Sequence, residues 1–303
     1  MTIQEAKNFG KNKLNGISSS PLLDCDVLLM HITGMDKTKL LFERDKNLNE
    51  TEKNLYISLI EKRSTGIAVS YLTNHKEFFG LDFFVTQDVL IPKPDTELLV
   101  ELLIQNLSEM SKKREAITIC DMCTGSGCVG ISILSYISEN KIFPVENIPK
   151  CTFVDISEKA LGVCKQNAKT LLKESKSKMQ FLQSNLFGAV PAKFNVIVSN
   201  PPYIPQAEAK KLLLDGRGEP LLALNGDIDL NGRESNSNDG LQIIRNLTRQ
   251  AYSHLNPRGM FFIEAGEDNA LKATEIFAKN GFIDIKVHND LAKKPRVIEG
   301  RKP

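Results

Sequence analysis

The architecture of this chain can be inferred from one segment, Ile117-Thr-Ile-Cys-Asp-Met-Cys-Thr-Gly-Ser-Gly-Cys-Val-Gly130. Its apolar start, Ile117–Cys120, predicts a buried strand, and the glycines that follow predict a tight turn into a helix. Glycine lets the backbone approach a ligand closely, and the first turn of a helix offers free N–H groups to a carboxylate or a phosphate. The segment therefore predicts an α/β fold with a ligand site at the carboxyl end of this strand.

Strand-like and helical patterns alternate on the C-terminal side of this segment. The further candidate strands are Cys151–Asp155, Gln180–Gln183, Asn195–Ser199, Met260–Glu264, Asp284–His288 and Arg296–Glu299. Helical segments fit between several of them, so the pattern predicts a doubly wound, mostly parallel sheet of the Rossmann-like kind. Only a short turn separates the last two strands, which predicts an antiparallel hairpin.

The first part of the chain has a helical pattern instead. Three helix starts carry capping signals: Thr2 with Glu5, Ser20 before Pro21, and Asn49 with Glu52. The third helix is expected to bury a stripe made of Leu55, Leu59 and Ile60. Short β-rich runs follow. We therefore divide the chain into a small helical domain at 1–70, a β-hairpin linker at 71–92 and an α/β domain at 93–303.

The composition argues against several classes of protein. The 39 Lys and Arg against 37 Asp and Glu leave a net charge of +2, which creates no global field for nucleic acid. No apolar run approaches the roughly 18 residues of a membrane helix, and Met1–Glu5 lacks the pattern of a signal peptide. Cys120-x-x-Cys123 has no second pair and no nearby histidine, so buried thiols are expected rather than zinc. These features predict a cytoplasmic protein without a metal.

A nucleoside cofactor is predicted at the carboxyl ends of the strands. Asp155 ends the second strand, where it can accept hydrogen bonds from ribose hydroxyls. Gly125-x-Gly127-x-x-Gly130 also matches the dinucleotide fingerprint. The glycines by themselves leave two alternatives open, an NAD enzyme and a tight turn without any ligand.

The segment Asn200-Pro-Pro-Tyr203 follows the fourth strand, whose end is expected beside the first. Its prolines stiffen the loop, so that the Pro201 carbonyl and the Asn200 side-chain carbonyl can point at a substrate. Two acceptors suit an NH₂ group, and Tyr203 can cover the flat face of the substrate. An amide or exocyclic amine nitrogen is a poor nucleophile, and holding both of its hydrogens aligns the lone pair with a methyl donor. The segment favours N-methylation over a simple Pro-Pro turn.

The chain resembles the release-factor glutamine N5-methyltransferase family (HemK/PrmC type) over essentially its whole length. The matching stretches lie at 71–83, 89–98, 124–127, 198–205, 219–224 and 296–301. Asn-Pro-Pro-Tyr alone is shared with enzymes that methylate amino groups of DNA and RNA. Its combination with Ile91-Pro-Lys-Pro-Asp-Thr-Glu97 and Glu219-Pro-Leu221 is far more specific.

The resemblance implies a class I methyltransferase fold whose N-terminal helical domain docks a class I peptide chain release factor. The methyl donor would be S-adenosyl-L-methionine, the product S-adenosyl-L-homocysteine, and the acceptor the glutamine amide of the Gly-Gly-Gln loop. By position, the cofactor would be bound by Cys123, Thr124, Gly125, Ser126, Gly127, Asp155, Asn185, Leu186 and Asn200. The catalytic, substrate-holding set would be Asn200, Pro201, Pro202 and Tyr203. A monomer is expected, without direct contact to nucleic acid or membrane.

The chain departs from the family pattern at four places. Lys93 stands where the family usually has Arg, which keeps the charge but loses the forked geometry. Cys123 replaces the usual first glycine of the cofactor loop and should constrain the backbone there. Asn185-Leu186 stands where Asp followed by an aromatic or aliphatic residue is common, which leaves the adenine contacts open. Asn225–Gly240, rich in polar turn residues, predicts a mobile surface loop longer than the family's short turn.

Two other functions remain as alternatives. An exocyclic-amine methyltransferase acting on DNA or RNA would stack Tyr203 on a flipped base, but it is expected to show a basic face or a target-recognition domain. A non-catalytic nucleotide- or protein-binding module could use the same fold. The presence of Gly125, Asp155 and Asn200 disfavours that module.

Overall fold

The computed structural model describes residues 1–112, 116–172, 178–214, 216 and 218–303. The chain divides into two compact units, Met1–His75 with Lys211–Gly218, and Lys76–Lys210 with Glu219–Pro303. The helical domain predicted to end at residue 70 continues to His75. Nothing in the sequence pattern signalled that the segment around residue 211 belongs with the first unit.

The first unit is helical. Its helices are α1 (Ile3–Leu14), α2 (Pro21–Thr33), α3 (Lys37–Phe42), α4 (Glu50–Ser64) and α5 (Val69–Thr73). The predicted starts of α1, α2 and α4 are confirmed, whereas α3 and α5 are too short to show a helical period.

Two predicted capping boxes close the N-termini of α1 and α4. The Thr2 hydroxyl accepts from the Glu5 N–H at 3.1 Å, and the Glu5 carboxylate accepts from the Thr2 N–H at 2.8 Å. Asn49 and Glu52 make the same pair of bonds at 2.9 and 2.8 Å. Each box satisfies two N–H groups that a helix end otherwise leaves unpaired.

The buried face of α4 differs from the prediction by one position. Leu59 and Ile60 are buried as expected, but Leu55 is 45% exposed and Tyr56 lies in the core instead. Positions 56, 59 and 60 form an ordinary i, i+3, i+4 face. The prediction that Leu55 lies on the buried face was therefore wrong.

A short hairpin lies in the stretch predicted as a linker. Its strands are β1 (His75–Phe78) and β2 (Leu81–Phe84). The two-residue turn Phe79-Gly80 has φ of 51° and 74°, positive at both positions as a type I′ turn requires. The Glu97 carboxylate accepts a hydrogen bond from the Phe79 N–H at 3.0 Å and so stabilises this unusual conformation of a non-glycine residue. Apart from His75, the hairpin belongs to the second unit.

A seven-stranded sheet forms the centre of the second unit. Its strands are β3 (Thr118–Met122), β4 (Lys150–Asp155), β5 (Met179–Gln183), β6 (Phe194–Ser199), β7 (Leu255–Glu264), β8 (Ile283–Asn289) and β9 (Pro295–Arg301). The order across the sheet is β5-β4-β3-β6-β7-β9-β8. β9 is antiparallel to both of its neighbours, β7 and β8, and the other described strand pairs of this sheet are parallel. The predicted doubly wound fold and its terminal antiparallel hairpin are confirmed.

Helices pack on both faces of this sheet. They are α6 (Glu97–Ser111), α7 (Cys128–Glu139), α8 (Glu158–Leu171), α11 (Gln242–His254) and α12 (Ala270–Lys279). Two shorter helices, α9 (Gln206–Leu213) and α10 (Leu221–Leu224), lie in the chain between β6 and α11. Cys120 and Met122 of β3 share an apolar cluster with α11 and α12. Asp121, which points to the opposite face because side chains alternate along a strand, lies against α7. None of the described helices is long and apolar enough to span a bilayer.

The neighbouring strands β3 and β6 mark the switch point of the sheet. From β3 the chain proceeds outward to β4 and β5, and from β6 it proceeds to β7 on the other side. A crevice for a ligand opens outside the carboxyl ends of the strands at such a point. The glycine loop after β3 and the loop Asn200–Tyr203 after β6 therefore meet at one edge.

The segment Asn225–Gly240 is more firmly anchored than its composition predicted. Asn225 and Asp227 are buried. The Asp227 carboxylate accepts from the N–H groups of Gln206 and Gly240 at 3.0 and 2.9 Å and from the Ser237 hydroxyl at 3.2 Å. The interpretation as a mobile surface loop was wrong for this part, because a buried carboxylate with three donors holds both ends of the segment together.

Candidate active site

The glycine loop after β3 is folded by left-handed backbone positions. Cys123, Gly125 and Gly127 have φ of 57°, 54° and 81°. Glycine adopts such values freely, but a cysteine there is strained. The predicted constraint at Cys123 is therefore present, and a hydrogen bond from the Thr124 N–H to the Val154 carbonyl at 3.0 Å holds the loop against β4.

Asp121, the buried carboxylate of β3, holds this loop through two hydrogen bonds. It accepts from the Thr124 hydroxyl at 2.7 Å and from the Gly130 N–H at 3.1 Å. Burial raises the pKa of Asp121 to about 7, although both hydrogen bonds act in the opposite direction. A Cβ at Gly130 would lie 2.5 Å from the Phe153 ring and 2.9 Å from this carboxylate, so the helix can approach the strand only because glycine is there.

Asp155 ends β4 and faces the same loop. One carboxylate oxygen accepts from the Gly125 N–H at 2.9 Å and the other from the Ser157 N–H at 2.9 Å. Burial raises the pKa of this carboxyl. Each oxygen keeps a further lone pair, so Asp155 can shape the loop and still accept from a ligand hydroxyl. Its predicted contact with a ribose stays a prediction.

A cavity of about 260 Å³ opens where these elements meet. Its lining includes nine of the predicted site residues: Cys123, Thr124, Gly125, Ser126, Asp155, Asn185, Leu186, Asn200 and Pro202. Three predicted residues, Gly127, Pro201 and Tyr203, lie outside this lining. Gly127 instead packs at the start of α7, where a Cβ would lie 2.6 Å from the Cys164 sulfur.

Asn185 and Leu186 close the cavity on the side of β5. Leu186 is buried with φ of 49°. The Asn185 side chain donates to the Leu230 carbonyl at 2.5 Å and so joins the end of β5 to the segment Asn225–Gly240. Ile228 and Asp229 of that segment also line the cavity. The segment is thus part of the candidate cofactor wall, which its composition gave no reason to expect.

Asn200 stands at the end of β6 with a defined orientation. The Ser199 hydroxyl donates to the Met122 carbonyl at 2.7 Å, which fixes this strand end beside β3. The Asn200 NH₂ donates to the Thr96 hydroxyl at 3.0 Å. Its side-chain carbonyl oxygen accepts no hydrogen bond from the described residues, and Asn200 lines the cavity. That oxygen is therefore available to a substrate.

Tyr203 is held from both of its ends. Its hydroxyl donates to Glu264 at 2.9 Å, and its backbone carbonyl accepts from the Asn269 side chain at 2.9 Å. Burial raises the pKa of Tyr203, and the Glu264 carboxylate adds to the shift. The phenol is thus a hydrogen-bonded anchor, and the predicted contact of its ring with a substrate stays a prediction.

Two residues of this network, Thr96 and Glu264, were not singled out from the sequence. Thr96 lies in the segment Ile91–Glu97 that carries the family resemblance, but no role in the site was assigned to it. A signal was present for Glu264, a carboxylate directly after the apolar run Met260–Ile263. A charged residue at the carboxyl end of a buried strand is a candidate site residue on this fold.

An ion pair joins two of the segments that carry the family resemblance. The Lys93 ammonium contacts the carboxylate of Glu219, which is buried. Lys93 and the adjacent Pro220 both line the cavity. The positive charge kept at this position thus contacts a buried carboxylate through an ammonium in place of a guanidinium fork.

Comparison with known proteins gives matches to both units. A model of the PrmC N-terminal domain matches residues 5–73, and a model of the methyltransferase small domain matches residues 95–216. A release factor glutamine methyltransferase from Koribacter versatilis is 33% identical over 307 residues, covering 100% of this chain and 99% of that protein. The one from Leptospira interrogans is 36% identical over 284 residues, with 92% and 90% covered.

A third relative and one solved structure complete the comparison. The release factor glutamine methyltransferase of Burkholderia pseudomallei is 33% identical over 293 residues, covering 95% of each chain. The crystal structure of a ribosomal protein L11 methylase from Lactobacillus delbrueckii is 20% identical with a TM-score of 0.45, and it covers 70% of this chain and 81% of that one.

Proposed function

This chain belongs to the release factor glutamine methyltransferase family, and from that membership we propose that it methylates the side-chain amide nitrogen of the glutamine in the Gly-Gly-Gln motif of peptide chain release factors. The methyl donor is S-adenosylmethionine. The observation that carries the proposal is the orientation of Asn200, whose NH₂ is bound by Thr96 and whose carbonyl oxygen is left for the cavity.

The residues around the cavity suit S-adenosylmethionine. The glycine loop and the N-terminus of α7 offer backbone N–H groups for the carboxylate of the methionine part, and Asp155 retains lone pairs for ribose hydroxyls. When bound, this cofactor supplies an electrophilic methyl group on a sulfonium. Leu186 and Ile156 offer apolar surface of the kind an adenine ring needs.

The loop Asn200–Tyr203 supplies acceptors for the substrate amide. In this proposal the carbonyl oxygens of Asn200 and Pro201 each accept one hydrogen of the substrate NH₂ group. The two prolines stiffen the loop that carries these oxygens. An amide held in this way is oriented, and orientation alone contributes greatly to the rate of a two-body reaction. No acid–base residue is required for the methyl transfer, and the nitrogen releases one proton after it.

The helical N-terminal unit is the proposed docking element for the release factor. Support comes from the match of residues 5–73 to the PrmC N-terminal domain. Leu41 and Phe42 of α3 are both exposed there, and adjacent exposed apolar residues commonly mark a protein contact.

The proposed substrate is tested by transferring a labelled methyl group and mapping it. The protein is incubated with methyl-labelled S-adenosylmethionine and a purified release factor, which is then digested and sequenced by mass spectrometry. We expect the label on the glutamine of Gly-Gly-Gln, and none on a matched factor whose motif reads Gly-Gly-Glu. Label on transfer RNA, ribosomal RNA or DNA, with none on the factor, would instead establish the nucleic-acid alternative.

A further inference from the structure

The Asn200 side chain can occupy its position in two ways that differ by a flip of the amide. In one orientation the carbonyl oxygen faces the cavity, and in the other the NH₂ does. Only the first suits a substrate NH₂ group, because two NH₂ groups facing each other leave donors unpaired. Some feature of the protein must therefore distinguish an oxygen from a nitrogen at this side chain.

The neighbour of Asn200 on this side is the Thr96 hydroxyl, which lies 3.0 Å from the Asn200 nitrogen. A hydroxyl can donate or accept, so Thr96 alone would permit either orientation. The Thr96 hydroxyl favours the observed orientation of Asn200 only if it donates its own proton to another acceptor. Thr96 is almost completely buried, so its hydroxyl proton is not donated to bulk water.

Glu264 is the candidate acceptor for this proton. In the parallel register of β6 and β7, Ser199 is paired with Ile263. Glu264, the next residue of β7, therefore lies beside Asn200. One carboxylate oxygen accepts from Tyr203 at 2.9 Å. The other is buried and has no partner of ordinary hydrogen-bond geometry within the described residues.

The geometry makes Thr96 and Glu264 complementary. The Thr96 hydroxyl already accepts from the Asn200 NH₂ at 3.0 Å, so its own proton is free to be donated. The buried Glu264 Oε2 atom lacks an ordinary partner and can accept that proton. Burial raises the pKa of Glu264 and hydrogen bonding from Thr96 lowers it, in line with such a contact.

We propose that Glu264 and Thr96 are positioning residues that set the direction of the Asn200 amide and thereby make the site selective for a substrate NH₂ group over an oxygen. The proposal rests on the proposed function in taking an amide as the substrate. Glu264 acts on both ends of the loop Asn200–Tyr203, through Thr96 at one end and directly on Tyr203 at the other.

The first test compares Thr96→Val with a matched threonine at the other end of the same strands. Thr118 is hydrogen-bonded to the Asn195 side chain at 2.9 Å, between β3 and β6 but away from the cavity. We expect Thr96→Val to lower kcat on release factor about 10- to 100-fold, the loss of one buried hydrogen bond and its alignment, with cofactor affinity unchanged. Thr118→Val should leave kcat within about threefold, and Thr96→Ser, which retains the hydroxyl, should recover most of the activity.

A second readout distinguishes orientation from simple destabilisation. Affinity is measured by titration with two release factors, one carrying Gly-Gly-Gln and one carrying Gly-Gly-Glu. The wild-type protein should prefer the amide, whereas Thr96→Val should lose most of this preference because the Asn200 NH₂ can then face a carboxylate. Glu264→Gln, which can donate as well as accept, should shift the preference in the same direction by a smaller amount.

The possible results separate this inference from the proposed function. A kcat of Thr96→Val equal to wild type, or a lowered kcat with an unchanged preference for Gln over Glu, would overturn the positioning role. A wild-type protein that methylates no release factor would refute the proposed function. In that case the positioning role is tested by NMR on asparagine-labelled protein. The Asn200 NH₂ resonances should shift in Thr96→Val and stay in place in Thr118→Val. Unshifted Asn200 resonances in Thr96→Val would refute the positioning role.

Discussion

At the scale of single residues, Asp121 and Asp155 show how two buried carboxylates divide the support of one loop. Asp121 holds Thr124 and Gly130 from inside the fold, and it is 1% exposed. Asp155 holds Gly125 and Ser157 and keeps a lone pair on each oxygen. Both carboxylates line the cavity, but Asp121 is the more deeply buried. Asp121 is therefore expected to affect stability above all, and Asp155 cofactor binding.

The stability of the protein should depend on pH through Asp121. Its folded-state pKa of about 7 lies above the ordinary value of 3.8, so the folded chain binds more protons than the unfolded chain between these values. This group therefore makes the free energy of unfolding fall as the pH rises from about 4 to about 7. Urea unfolding at about pH 5 and about pH 7.5 should show a steeper fall for wild type than for Asp121→Asn. Parallel behaviour of the two proteins would contradict the assignment.

Cofactor affinity should depend on Asp155. Asp155→Ala removes charge-assisted hydrogen bonds to the ribose and to the loop, and we expect a loss of about 2–3 kcal/mol in S-adenosylmethionine binding measured by calorimetry. Asp88→Asn is the matched control, since Asp88 also lines the cavity but its carboxylate contacts Lys159 at 3.6 Å and accepts from the Thr86 hydroxyl at 3.1 Å. Unchanged affinity in a folded Asp155→Ala protein would rule out the ribose contact.

Single residues also show where inference from the sequence ends. The strain at Cys123 could be foreseen because a non-glycine residue stood at a glycine position, and its φ of 57° agrees. The contact of Asn200 with Thr96 joins residues 104 positions apart. No local pattern contains such a contact, because it arises only when the sheet brings β6 and the start of α6 together.

At the scale of elements, the anchored segment Asn225–Gly240 supports the loop that carries the candidate chemistry. Ile204, directly after Tyr203, donates its N–H to the Leu224 carbonyl and accepts from the Gly226 N–H, both at 3.0 Å. Asp227 then closes the segment against Gln206 and Gly240. The exit of the loop Asn200–Tyr203 is thus fixed by this segment.

Breaking the Asp227 anchor should weaken both stability and activity. Asp227→Ala leaves three donors without their acceptor, and we expect a loss of about 1–3 kcal/mol in the free energy of unfolding, with a lower kcat. Glu234→Gln, an exposed change in the same segment, should change stability by less than about 0.5 kcal/mol. Both are measured by chemical denaturation and initial rates. Equal, small effects of the two variants would show that the anchor is unimportant.

Strands were easier to infer than short helices and element ends. All seven strands of the sheet overlap the runs that predicted them. The signal is clearest for the central strands β3, β4 and β6, which are largely buried and therefore mostly apolar. The outer strands β5 and β8 are partly exposed and more polar. The start of β7 was missed by five residues. The strand begins at Leu255, which pairs with Phe194, but the register shifts before regular pairing resumes at Met260. The burial of Asp227 was missed because composition does not reveal tertiary partners.

At the scale of the whole molecule, the proposed division of labour assigns docking to the first unit and methyl transfer to the second. Phe42 is 83% exposed, so Phe42→Ser should leave the fold intact. We expect this variant to raise KM for an intact release factor several-fold, the loss of one apolar contact of about 1–2 kcal/mol. KM for a short Gly-Gly-Gln peptide should not change.

A matched control for that variant lies in the second unit. Leu291 is fully exposed there, and Leu291→Ser should change neither KM. Steady-state kinetics on both substrates decide the matter. Equal effects of Phe42→Ser on factor and peptide, or no effect on either, would argue against docking through this face of the first unit.

The central claim for the molecule is that the Asn200 side-chain carbonyl holds the substrate amide for methylation. The most direct measurement is kcat on release factor for Asn200→Ala, with S-adenosylmethionine affinity measured alongside. Loss of the acceptor costs about 1–3 kcal/mol, and misalignment of the nitrogen adds to it, since small displacements can cost about a hundredfold. We predict that kcat falls by at least about two orders of magnitude while cofactor affinity changes little, with a smaller effect for Tyr203→Ala. An Asn200→Ala protein that methylates the factor at near wild-type kcat would show that Asn200–Tyr203 is only a turn.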